Sequence, residues 1–163
     1  MTLASGWFGV QVEHVLAFGV KMEWGAEELA KARAIGEGPV RWFNTQAEAV
    51  QRYLRISGLE GLVGADSECA MRGIAEQGGK FRLSMDPRAN WLSPPPFERI
   101  VAAMHTPLQL ATGELDPMTS LKLMRRYDPN AVILPGLGHS PHVESPERLW
   151  EFVEPVARRY RSA

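Results

Sequence analysis

The sequence predicts an α/β fold built on three parallel strands, with a helical block inserted after the first of them. Three observations predict it. Residues 107–148 hold two short apolar runs, Leu108-Gln109-Leu110-Ala111 and Ala131-Val132-Ile133-Leu134, joined by a helical pattern over residues 118–127. Strand, crossover helix and strand form the unit that builds a parallel sheet. A third apolar run over residues 12–20 is nearly continuous, which suits a strand covered on both faces. Between it and the other two runs, residues 25–100 read as mainly helical and interrupt the alternation.

The elements follow in order. Residues 1–11 contain Leu3-Ala4-Ser5-Gly6, which reads as the tail of a helix closed by glycine. The first strand follows, with His14 early in the run, a structural position. Residues 26–35 fit a helix with Glu27 and Glu28 in its first turn, where carboxylates suit the helix dipole. Gly36-Glu37-Gly38-Pro39 ends it. Thr45-Gln46-Ala47-Glu48 is a capping-box pattern ahead of an amphipathic helix that ends near Gly58. Cys69, Ala70, Ile74 and Ala75 suggest one further helix, stopped by Gly78-Gly79, and residues 81–87 are extended. Ser93-Pro94-Pro95-Pro96 is a stiff connector into a helix over residues 97–104. The tail is a helix over residues 145–160. Ser145 caps it and Pro146 takes its first position, while Leu149, Trp150, Phe152, Val153 and Val156 face the sheet. Arg158, Arg159 and Arg161 suit its end.

Composition bounds the function. The 163 residues fit a single domain or a core with a small insertion, and 45% hydrophobic with 23% charged residues is a globular balance. A net charge of −1 with mixed signs points away from nucleic acid. No apolar run is long enough to span a bilayer, and no basic leader precedes one, so neither a membrane nor a signal peptide is expected and the cytoplasm is the expected compartment. Cys69, the one cysteine, rules out an intrachain disulfide and reads as a small buried hydrophobe. Gly136-Leu137-Gly138 lacks the third glycine of a dinucleotide loop, and His139, His142 and Glu144 lack the spacing of metal ligands on one helix face. No cofactor and no metal is implied.

The chemistry gathers behind the last two strands. Parallel neighbours end at the same sheet edge, so Asp116 and His139, each just past a strand, should emerge side by side where open α/β sheets place their sites. A carboxylate beside an imidazole fixes its tautomer and stabilises the imidazolium formed when the other nitrogen takes a proton. Each residue alone also has a plain structural reading: Asp116 opens a turn before Pro117, and His139 caps a glycine loop. Glu23 is a second candidate acid, with weaker surroundings. His142 could touch a substrate or be a solvated loop residue, and His105 is structural. Trp24, Trp42, Phe43 and Trp91 could line a pocket or pack the inserted block's own core.

The ordered pair of motifs Gly113-Glu114-Leu115-Asp116 and Gly136-Leu137-Gly138-His139, followed by Glu144-Ser145-Pro146-Glu147, resembles the C-terminal end of an α/β-hydrolase. In that family the aspartate is the catalytic acid and the histidine the catalytic base. The resemblance implies a partial α/β-hydrolase fold: a core remnant over residues 1–24 and 101–163, and a helical cap, or lid, over residues 25–100. It implies hydrolysis of an ester, thioester or similar bond in a small apolar substrate. The family's nucleophile motif, G-x-S-x-G, stands nowhere in the 163 residues. On this resemblance Met1 falls just past the nucleophile, the chain holds the last three strands of an eight-strand sheet, and the chain alone has weak or no activity. The alternative is a non-catalytic interaction module, pairing through the open edge of its first strand, as in a homodimer.

Overall fold

A computed structural model describes residues 12–90 and 97–161. In chain order its elements are β1 (Val15–Phe18), α1 (Ala26–Glu37), α2 (Gln46–Ile56), α3 (Glu68–Arg72), β2 (Ile74–Gln77), β3 (Lys80–Leu83), a 3-10 turn (Pro87–Asn90), α4 (Phe97–Ala102), β4 (Leu108–Gly113), α5 (Leu121–Met124), β5 (Val132–Leu134), α6 (Pro141–Glu144) and α7 (Pro146–Arg161). The chain divides into two compact units, Met1–Glu23 with Pro94–Ala163, and Trp24–Ser93.

The first unit is a parallel sheet in the order β1-β4-β5. β4, the central strand, sends alternate side chains to opposite faces, as a pleated strand must. Ala111 joins Leu134, Leu137 and Phe152 on one face, with Leu149 and Val153 of α7 packed against them. Leu110 joins Met124 and Ala131 on the other, with Leu121 and Tyr127. Cover on both faces explains the apolar run of β4. β1 is shorter than the run that predicts it: the ladder takes only Val15–Phe18, and Gly19 turns away with φ of +61°. On α7, Phe152 and Val156 are buried as expected, but Trp150 is 44% exposed and does not join the sheet face.

β4 outruns β5, whose ladder begins only at Val132 opposite Ala111. The buried Asp128 closes that gap. Its carboxylate accepts the Leu110 N–H at 2.8 Å and the Asn130 N–H at 2.9 Å, so a backbone donor that β5 does not reach is satisfied by a side chain.

In the second unit, α2 begins at the capping box read from the sequence. Thr45 Oγ1 accepts the Glu48 N–H, and the Glu48 carboxylate accepts the Thr45 N–H. Its apolar face contributes Val50 and Leu54, which pack with Ala70 of α3. Two expectations fail here. The helix over Cys69, Ala70, Ile74 and Ala75 stops at Arg72, and Ile74–Gln77 is a strand paired antiparallel with Lys80–Leu83. Gly78 and Gly79 both take positive φ, so they form the two-residue turn that matches hairpin twist instead of ending a helix. The block, read from the sequence as mainly helical, therefore also carries a β-hairpin. Cys69 is exposed, because α3 turns its neighbour Ala70 inward.

Candidate functional site

Asp116 and His139 stand where the two parallel strands end. After β4 the chain turns at Gly113, and the two exits are laced together. The Glu114 N–H donates to the Leu134 carbonyl at 3.1 Å and the Leu115 N–H to the Leu137 carbonyl at 2.9 Å. The Glu114 carboxylate accepts the Gly136 N–H at 2.8 Å. Gly113 is required by close approach: a Cβ there would overlap the Leu137 and Gly138 carbonyl oxygens. Gly19, at the end of β1, lies against His139, where a Cβ would stand 3.1 Å from its carbonyl oxygen and 3.4 Å from Nδ1. All three strand ends thus converge on the histidine.

His139 Nδ1 lies 2.9 Å from Asp116 Oδ2. The Asp116 side chain is fully buried, and that of His139 is 35% exposed. Burial alone would raise the Asp116 pKa. Hydrogen bonds from His139, the Met118 N–H and the Thr119 hydroxyl outweigh it and hold the group below its ordinary value, as a carboxylate. A carboxylate can only accept, so Nδ1 carries the proton of this bond and Nε2 is the ring nitrogen left facing away from Asp116. Thr119 is held in turn by Thr112, whose hydroxyl lies against its own.

A second carboxylate fixes the loop itself. Glu144, in α6, accepts the Ser140 N–H at 2.9 Å on one oxygen and the Gly138 N–H at 2.5 Å on the other. The two residues that flank His139 are tied to one side chain.

The other candidates fall elsewhere. Glu23 is exposed and pairs with Arg126 at 3.6 Å. His14 is half-buried, and its Nε2 is enclosed with no hydrogen-bond partner among the described residues. Burial, then the charge of Arg159, lowers its pKa, which favours the neutral ring. His142 is exposed on α6, its ring 6.0 Å from that of Phe18, and His105 is exposed. Of the aromatic candidates, Phe43 is buried, Trp24 is half-buried and Trp42 is 40% exposed. Trp91 and residues 1–11, with the helix tail read there, lie outside the described residues. Among the described residues no three His, Cys, Asp or Glu side chains cluster as metal ligands, and no helix is long and apolar enough to cross a membrane.

The sequence matches no protein-family model and no curated protein. Solved structures do match. An esterase of Mycobacterium tuberculosis superposes with a TM-score of 0.69 at 15% identity, over 94% of this chain and 57% of its own. The thioesterase domain from the curacin biosynthetic pathway gives 0.65 at 15% identity, over 93% and 61%. E-2-(acetamidomethylene)succinate hydrolase gives 0.64 at 19% identity, over 93% and 60%. The fold is part of the α/β-hydrolase fold. The chain spans about three-fifths of the length of these α/β-hydrolase structures.

Sequence reasoning found the Asp116–His139 pair but missed the residues that hold it. Thr119 stands three residues after Asp116, a spacing at which a turn-forming aspartate can meet a hydroxyl. Glu144 was visible only as part of a lead-in to the last helix. Its reach back to Gly138 runs from the end of the short helix α6 into the loop before it, a contact that no helical spacing announces.

Proposed function

We propose that this chain supplies the acid–base half of a hydrolase that cleaves an ester, thioester or similar bond in a small apolar substrate. The observation that carries the reading is the 2.9 Å bond from a partly exposed imidazole to a fully buried carboxylate, at the ends of adjacent parallel strands. In this reading His139 Nε2 takes the proton of an attacking hydroxyl or water, and Asp116 stabilises the resulting imidazolium. The same proton then passes to the leaving group. In this reading the nucleophile comes from outside these residues, in a longer polypeptide or a second one, since no G-x-S-x-G motif stands among them. The unit Trp24–Ser93 is proposed as the lid. The thioesterase, esterase and hydrolase named above support the reaction class.

The test is turnover of short-chain nitrophenyl esters and acyl thioesters by the complete gene product, whose intact mass is measured first. His139→Ala is expected to lower kcat by at least about a thousandfold. Turnover that survives His139→Ala and Asp116→Asn would sink the proposal.

One observation favours a second reading, an interaction module. The Val15 and Gly19 N–H groups bond toward β4, so by alternation those of Leu16 and Phe18 point to the other edge of β1. No strand pairs with that edge among the described residues. An open edge can add a strand from another chain, including a second copy.

A further inference from the structure

Within the unit Trp24–Ser93 lies a cavity of about 340 Å³, within the size range of small-molecule sites. Four of its wall residues are large apolar side chains left open to solvent: Ile35 at 53% exposure, Val40 at 39%, Ile56 at 43% and Met85 at 44%. Among the described residues the charged ones on its wall are Arg41 and Arg52, with no Asp or Glu.

Four other arginines of the unit have a carboxylate partner; these two, like Arg82, which does not line the cavity, have none among the described residues. In the same unit Arg33 pairs with Glu37, Arg55 with Glu60, Arg72 with Glu68 and Arg88 with Asp86. Arg41 and Arg52 have no carboxylate within 4.0 Å among the described residues. The Arg41 guanidinium instead sits 5.0 Å from the centroid of the Phe43 ring, and that ring also lines the cavity. A cation held over an aromatic face at the wall of an apolar pocket keeps its hydrogen-bond fork free for an anion.

We propose that this cavity binds an amphiphile with a medium-length alkyl tail and an anionic headgroup. The tail lies against Ile35, Val40, Ile56 and Met85, and the headgroup meets Arg41 and Arg52. The apolar walls favour the tail by removing its surface from water. The unpaired guanidinium groups select the charge. The inference uses neither Asp116 nor His139 and stands apart from the proposed hydrolysis.

The experiment is calorimetric titration of the full chain with decanoate, decyl phosphate and decanol at fixed ionic strength. Both anions are expected to bind at least about tenfold more tightly than the alcohol. Arg41→Met with Arg52→Met is expected to abolish that preference, while circular dichroism shows an unchanged fold. Ile56→Glu, which sets a carboxylate on the wall, is expected to weaken both anions. His139→Ala is expected to leave all three affinities alone, so this result is independent of the catalytic test. Decanoate bound without decyl phosphate would assign free acids as the ligand; the reverse would assign phosphorylated lipids. Equal affinity for decanol, or a preference that survives the double variant, would overturn the proposal.

Discussion

Asp116 serves two structural roles at once. As a turn former it accepts the Met118 N–H at 2.8 Å, and as an orienting group it accepts from His139. The turn contact and the contact with His139 therefore coexist, since one oxygen serves each. Its pKa lies below the ordinary 3.8, so its contribution to stability is complete above that value and is lost as pH falls through the folded pKa. Asp116→Asn is expected to lower the urea-unfolding free energy by about 1–3 kcal/mol near neutrality, with the difference closing in acid. Parallel curves at all pH values would refute the linkage. Glu144 is testable in the same way. Glu144→Ala leaves the Gly138 and Ser140 N–H groups without their partner, a cost of about 1–3 kcal/mol. The His139 ring resonances should broaden or shift in nuclear magnetic resonance spectra. Unchanged His139 signals would mean that the loop holds its shape without the clamp.

At the scale of elements, the sheet end and the α2 cap give opposite lessons about locality. The capping box at Thr45 and Glu48 lies within four residues, and it forms as the local pattern requires. Thr45→Ala is expected to cost about 1 kcal/mol, read as a lower unfolding midpoint. Its amide-exchange signature should fall on α2. Gly113 depends instead on a loop more than twenty residues away. Gly113→Ala must displace the Leu137–Gly138 backbone, so the cost is expected to reach about 3 kcal/mol. It should also lengthen the Asp116–His139 contact, seen as loss of the downfield Nδ1 proton signal. A stable variant that keeps that signal would show that the loop yields freely.

At the scale of the whole molecule, the sheet is covered on both faces but paired on only one side of β1 among the described residues. Edges of this kind associate. Sedimentation over a range of concentrations is expected to show dimers, with the Leu16 and Phe18 amides gaining hydrogen-exchange protection as they form. A monomer at all concentrations, with both amides exchanging freely, would remove the edge-pairing reading. The two compact units are each organised around their own buried cluster, Val50, Leu54 and Ala70 in one and the two sheet faces in the other.

The sequence by itself determined the parallel strands, the capping box of α2 and the order Asp116 before His139, because each rests on short-range pattern. Apolar runs bury, hydroxyls cap, and residues just past parallel strands share an edge. Tertiary structure decided the rest. Ile74–Gln77 became a strand because a hairpin partner reached it across Gly78-Gly79, and Cys69 faced water because Ala70 took the inward position. The clamp by Glu144, the support from Thr119 and the close packing at Gly113 depend on backbone atoms meeting through space. Each such contact has at least one partner in a loop, and a loop carries no periodicity from which that partner can be read.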